Sequence, residues 1–211
     1  MITTLSFDGD GTLWDFEKAM RHALGLTLTE LRKCVTDARV AHLDVQTMIS
    51  IRDSAACELR GKEANLEQIR LYAFRRTLDT YGIQDDALAQ HLNQVYLKHR
   101  FSDMELYPDV LPALDSLKAR FVIGLLSNGN SYPERCGLAG YFRFIVFSQD
   151  HGIQKPDRGI FEIAMARARC SNSELLHIGD SLENDVAGAN NAGARSVWLN
   201  RKRAQNETGI K

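Results

Sequence analysis

Ile2-Thr3-Thr4-Leu5-Ser6-Phe7-Asp8-Gly9-Asp10-Gly11-Thr12-Leu13 runs from an apolar strand straight into two carboxylates spaced two residues apart among small residues. A tight acidic loop at the end of a strand is the reading that decides the rest. Ligands of open α/β sheets bind beyond the carboxyl ends of the strands, so a loop placed there is where chemistry is expected. Gly9 and Gly11 allow backbone N–H groups to come close to an anion. Carboxylates this near repel one another unless a positive charge neutralises them, and an all-oxygen set suits Mg²⁺ better than a soft metal.

Working outward, four more short apolar runs bounded by Gly, Asn or Asp read as buried strands: residues 121–126, 144–147, 175–178 and 196–199, added to 2–7. Amphipathic segments lie between them. Phe161, Ala164, Met165 and Ala168 fall at helical spacing, and a run from Asn184 closes at Gly193. Such alternation predicts an α/β fold, a Rossmann-like parallel sheet sandwiched by helices. Residues 16–102 differ, because they show helical periodicity without strands: Leu71, Phe74, Leu78 and Tyr81 share a face, as do Leu88, Leu92, Val95 and Tyr96. They read as an all-helical domain of three to five helices inserted after the first strand, with 1–15 and 103–211 forming the core. Thr27 with Glu30 reads as a capping box, Gly82 as a helix end, and Asp85 or Asp86 as the next helix start.

Three later loops carry matching chemistry. Ser127 and Asn128, beside Gly129, end the second strand with a hydroxyl and an amide able to donate to phosphate oxygens. Lys155, before Pro156, offers an ammonium to carboxylate and phosphate charge. Gly179-Asp180-Ser181-Leu182-Glu183-Asn184-Asp185 ends the fourth strand with a second acidic loop. Asp180 is the natural additional metal ligand; Asp185 reads as a second ligand, a partner for Lys155, or a helix-initiating acid.

These four stretches, in this order, resemble the haloacid dehalogenase superfamily over residues 1–14 and about 104–200. The resemblance implies that Asp8 is the nucleophile that forms an aspartyl-phosphate, that Asp10 is the general acid and base, and that Lys155 completes the catalytic set. It implies that Gly9, Gly11, Thr12, Ser127, Asn128 and Lys155 bind phosphate, that Asp8, Asp10, Asp180 and Asp185 hold Mg²⁺, and that the helical insertion is a cap. A glycine at position 9, where an apolar residue is commoner, is expected to loosen the loop. Asp10 separates this chain from the halide-releasing members it resembles, which have no alcohol leaving group to protonate, and so the expected activity is hydrolysis of a phosphomonoester. A phosphosugar mutase would use the same aspartates. A receiver-like signalling module is disfavoured by size, by the insertion, and by a middle strand that ends in Phe147-Ser148 and not in the reactive aspartate.

The composition excludes other classes. With 26 Lys and Arg against 27 Asp and Glu, the 211-residue chain has a formal charge of −1 and no broad basic surface for nucleic acid. No apolar run reaches the length of a membrane span, and a cytoplasmic small-molecule enzyme, monomeric or homodimeric, is expected. Cys34, Cys57, Cys136 and Cys170 are widely spaced and read as reduced thiols. The cluster Arg201, Lys202 and Arg203 reads as a solvated polar tail. The six histidines show no metal-ligand spacing and read as surface or packed residues, with His151 placed near the Lys155 loop.

Overall fold

A computed structural model describes residues 1–36 and 38–210, and they divide into two compact units, Met1–Phe16 with Glu105–Lys211, and Glu17–Met104. The first unit is built on a five-stranded, wholly parallel sheet: β1 (Thr4–Phe7), β2 (Val122–Ser127), β3 (Phe144–Phe147), β4 (Leu175–Gly179) and β5 (Arg195–Trp198), in the order β3-β2-β1-β4-β5. Phe7 pairs with Leu125 on one side and Ile178 on the other, and the ladder continues through the Asp8 N–H to the Ile178 carbonyl at 2.8 Å. The chain moves from β1 outward through β2 and β3, then returns to the other flank of β1 for β4 and β5. The loops leaving β1 and β4 therefore diverge, opening a crevice between them at the carboxyl edge.

Because β1 is central, the strand in the middle of the sheet does end in a candidate reactive aspartate, Asp8. The expectation built on Phe147-Ser148 took chain order for spatial order and does not separate this fold from a receiver. Leu126, Phe144, Val146, Ile160, Phe161, Ala164, Leu175 and Ala189 form one buried cluster that joins the sheet to the helix at Arg158–Ala168 and to the short helix at Gly188–Asn191. The latter is entered through a wide π-helical turn, Leu182–Ala187, so the segment expected to run as one helix from Asn184 is two conformations in series.

The second unit is helical: α1 (Phe16–Cys34, its first residue lying in the other unit), α2 (Val45–Glu58), α3 (Leu66–Thr80) and α4 (Asp86–Ser102), with a 3₁₀ turn at Ala38–His42. Three of the helices start where a short polar side chain accepts an otherwise orphaned N–H. Asp44 takes Thr47 N–H at 2.7 Å, Asn65 takes Glu67 N–H at 2.8 Å, and Asp85 takes Leu88 N–H at 2.9 Å. Gly82, at φ +69°, follows α3 as expected. Thr27 caps nothing: it lies inside α1, buried, with its hydroxyl donating to the Ala23 carbonyl at 2.7 Å, because α1 begins at Phe16, about three turns earlier than the sequence signal suggests. Phe74 meets Tyr96 edge-on at 5.9 Å, and Glu30 accepts from His91 and Lys33. None of the described helices is long and apolar enough to cross a membrane.

Gly124 sits opposite Phe144 in the ladder, where a Cβ would lie 2.0 Å from the phenyl ring. Gly124→Ala is expected to cost about 1–3 kcal/mol through forced displacement of that ring, measured by chemical denaturation; an unchanged midpoint would refute the packing argument.

Candidate active site

The parallel register brings the ends of β1, β2 and β4 and the Lys155 loop around one cavity of about 150 Å³. Asp8, Asp10, Ser127, Asn128, Lys155, Asp180 and Asp185 line it, joined by Gly129, Ser181 and Asn184. Residues 147 positions apart in the chain thus meet. Lys155 is 2% exposed, and its ammonium donates to Asp8 Oδ1 at 2.6 Å, Asp185 Oδ1 at 2.6 Å and the Leu126 carbonyl at 2.9 Å. All three of its protons are committed, so in this arrangement it is a charge partner of Asp8 and has no N–H left for a phosphate oxygen.

The two carboxylates on that ammonium differ. Burial pushes Asp8 up to about 7, with repulsion from Asp185 adding to it and Lys155 opposing. Burial acts the same way on Asp185, but Lys155 and His177 outweigh it and hold that carboxyl well below the ordinary range. Asp185 also spends its oxygens: Oδ1 accepts from Lys155 and from His177 Nε2 at 3.0 Å, and Oδ2 accepts the Ser181 N–H at 2.9 Å. Of the three readings open for Asp185, this geometry fits the partner of Lys155. Asp180 is raised, first by burial and then by Asp185.

Asp10 presents one oxygen to Trp14 Nε1–H at 2.6 Å and Ser131 Oγ–H at 3.0 Å, while Oδ2 faces Gly129 so closely that a Cβ there would lie 2.4 Å away. Trp14 is fully buried, and its ring fills the space a side chain at position 9 would need, 2.6 Å from a Cβ. Glycine at that position is thus a steric match for Trp14. The slackening expected of a glycine is opposed by its own carbonyl, which accepts the N–H groups of Thr12, Leu13 and Trp14.

Other expected phosphate contacts are redistributed. Gly9, Gly11 and Thr12 are not among the residues lining the cavity; they shape the loop from behind. Gly11, at φ +86°, leaves room for the Asp180 carboxylate, which a Cβ would meet at 2.6 Å. Thr12 is fully buried, and its carbonyl accepts from Arg201 Nε and Nη2 at 3.1 and 2.8 Å. Asn128 uses its amide to hold the lysine loop, donating to the Lys155 carbonyl at 2.9 Å and accepting from Lys155 N–H at 2.8 Å and from Ser148 Oγ–H at 2.6 Å. Ser127 Oγ accepts from Gly129 N–H at 3.0 Å, which leaves the hydroxyl proton for a bound oxyanion. His151 does not line the cavity and lies 3.4 Å from Arg167.

Carboxylate oxygens of Asp8, Asp180 and Asp185 can all lie within 4.8 Å of one another. A hard, all-oxygen set with raised Asp8 and Asp180 is short of positive charge, and a divalent cation fits it.

The chain matches the haloacid dehalogenase-like hydrolase family over residues 2–193. It belongs to that family. Among relatives, the Escherichia coli pyrimidine 5'-nucleotidase YjjG is 31% identical over 97% of this chain and 88% of its own. A 2-haloacid dehalogenase from Pseudomonas syringae superposes with a TM-score of 0.82 at 30% identity, over 100% and 92% of the two chains. The putative hydrolase YfnB of Bacillus subtilis, a structure bound to magnesium, gives 0.76 at 26%, over 96% and 91%. This hydrolase therefore has both ester-cleaving and carbon–halogen-cleaving kin, and the choice between them falls to its own residues.

Arg201 supports the site from outside the cavity, and no sequence signal marks it for that role. Arg201, expected to be a solvated tail charge, grips the Thr12 carbonyl, forks onto the Asp109 carboxylate at 3.0 and 3.2 Å, and stacks 3.9 Å over the Tyr107 ring. Arg201→Ala is expected to lower stability by about 1–3 kcal/mol, and Arg201→Lys to recover little of it, since an ammonium cannot fork or stack; calorimetric melting of both variants checks this.

Proposed function

We propose that this hydrolase cleaves phosphomonoesters of small soluble metabolites through an aspartyl-phosphate on Asp8. The observation that carries the reading is Asp10: a carboxyl fixed by Trp14 and Ser131 at the cavity wall, two residues from the nucleophile. A departing halide needs no proton, whereas a departing alkoxide does, so an acid held there has work in ester cleavage and none in dehalogenation.

In this reading the ionised Asp8 oxygen forms a bond to phosphorus as the bond from phosphorus to the alcohol oxygen breaks, and Asp10 gives its proton to that oxygen. Asp10, now a carboxylate, takes a proton from water, whose oxygen attacks the phosphorus of the aspartyl-phosphate and frees Asp8 and inorganic phosphate. Lys155 keeps Asp8 charged and aimed. Ser127 donates its hydroxyl proton to a transferring oxygen. Mg²⁺, held by the carboxylates of Asp8 and Asp180 and by the backbone carbonyl of Asp10, would supply charge neutralisation between carboxylate and phosphate. The helical unit serves as the substrate-selecting cap, and the nucleotidase relative makes pyrimidine 5'-monophosphates the first compounds to try.

Phosphate release from a panel containing these, with 2-chloropropionate as the dehalogenation control, tests the reading. Asp8→Asn is expected to abolish turnover and Asp10→Asn to reduce it about 10²–10⁴-fold, with chelator silencing the wild type. Equal phosphate release by wild type and Asp8→Asn, or chloride release in place of phosphate, would overturn it.

The charge state of Asp8 gives a second check. An acid raised from 3.8 to about 7 destabilises the fold as pH rises through that interval, since the folded state holds a proton the unfolded state has lost. A cation relieves that cost above the interval and must displace a proton within it. At one fixed concentration, roughly 100 times its Kd at pH 8, Mg²⁺ is expected to raise the melting temperature by about 5–10 °C at pH 8 and by clearly less at pH 5, in a thermal-shift titration; equal shifts would count against this account.

A further inference from the structure

We propose that His177 is a positioning residue of the active site: its Nε2–H locks the Asp185 carboxylate in the orientation that aims Lys155 at Asp8. The inference rests on the phosphatase reading for its kinetic consequences, though not for its geometry. His177 is fully buried on β4, level with Ser6 of β1 in the ladder. Its ring has one partner at each nitrogen, Ser6 Oγ at Nδ1 (2.8 Å) and Asp185 Oδ1 at Nε2 (3.0 Å). An ionised carboxylate only accepts, so the proton is on Nε2, and Nδ1 accepts from the serine hydroxyl. The Phe161 ring packs against the imidazole in a T-shaped contact, with centroids 5.2 Å apart and planes at 87°.

The connections close on themselves. Ser6 fixes His177, His177 fixes Asp185, Asp185 fixes Lys155, and Lys155 reaches Asp8, which lies two residues from Ser6 and so projects from the same side of β1. Asp185 cannot retreat from this ring, since it is packed so tightly on Gly179 that a Cβ there would lie 2.2 Å from Asp185 Cγ. Oδ1 of Asp185 serves two donors at once. Without the imidazole it would keep only Lys155, and of the three donors on the carboxylate only Lys155 and the Ser181 N–H would remain to set its angle. Burial favours the uncharged imidazole, which supplies direction without competing with Lys155 for charge.

Two substitutions separate positioning from packing. The amide nitrogen of His177→Gln reaches the place of Nε2 and can donate to Asp185; that of His177→Asn reaches only the place of Nδ1, toward Ser6. With p-nitrophenyl phosphate as probe, His177→Asn is expected to lower kcat about 10–100-fold with KM within a few-fold of wild type, and His177→Gln to recover most of the loss. Ser6→Ala, which frees the tautomer with little change of volume, is expected to fall between them, and it carries the kinetic test if His177→Asn does not fold. Crystal structures of the variants are expected to show Lys155 Nζ beyond hydrogen-bond reach of Asp8 in His177→Asn and within it in His177→Gln. A kcat that merely follows the melting temperature across the variants, or an undisturbed Lys155 in His177→Asn, would overturn the proposal. If the wild type releases no phosphate, the crystallographic comparison still decides the positioning role while the phosphatase reading fails.

Discussion

A single buried ammonium holds together charges that would otherwise drive the sheet edge apart. Asp8, Asp10, Asp180 and Asp185 converge on one cavity, and only Lys155 among the lining residues is cationic. In low dielectric, such a surplus of negative charge is expensive. The protein divides the one positive charge unequally. Asp185, with His177 and the Ser181 N–H as additional donors, keeps its charge firmly, while Asp8 receives only the lysine and is left raised to about 7. Of the two carboxylates on the lysine, the one placed to attack is thereby the less compensated, and an oxygen of Asp180 lies within 4.8 Å of it. That imbalance is what makes a divalent cation a natural occupant of the site.

Around this charge core, shape is set by steric matching. The indole of Trp14 lies over Gly9 and spends its N–H on Asp10, so one side chain both fills the loop and orients its second carboxyl. Arg201 holds the same loop from behind through the Thr12 carbonyl. The result is an acidic loop with little freedom, which suits a site where reacting oxygens must be held near a fixed line of attack.

Much of this was legible in the residues. Strand runs bounded by small polar residues, and acids placed directly after them, follow from local chemistry, and all five strands fall within two residues of where the apolar runs place them. The grouping of Asp8, Lys155, Asp180 and Asp185 was likewise readable, because each follows a strand of one parallel sheet. Roles that depend on a distant partner were not. Asn128 looks like a phosphate donor alone until its carbonyl and one of its two amide protons are seen to hold the Lys155 loop, and Thr12 looks like a phosphate contact until it is found behind the cavity with its carbonyl held by Arg201. His177 was passed over because no spacing marks it. Its one local signal is the strand alternation that buries it alongside Leu175 and Gly179. Thr27 misled for the converse reason, as a strong local capping pattern was overridden by the apolar face of a longer helix.

The strand order carries a consequence for biosynthesis. β1 is made before the four strands it joins, yet it sits at the centre with neighbours on both flanks, and the end of β4 emerges ~170 residues later. At roughly 5–20 residues per second, that is a wait of about 10–35 seconds. Through that interval four residues that will become the centre of the sheet have at least one unsatisfied edge, and the intervening helical unit, rich in short-range contacts, can form first. The strand leading to the nucleophile is thus translated before its partners and fully paired only when β4 arrives.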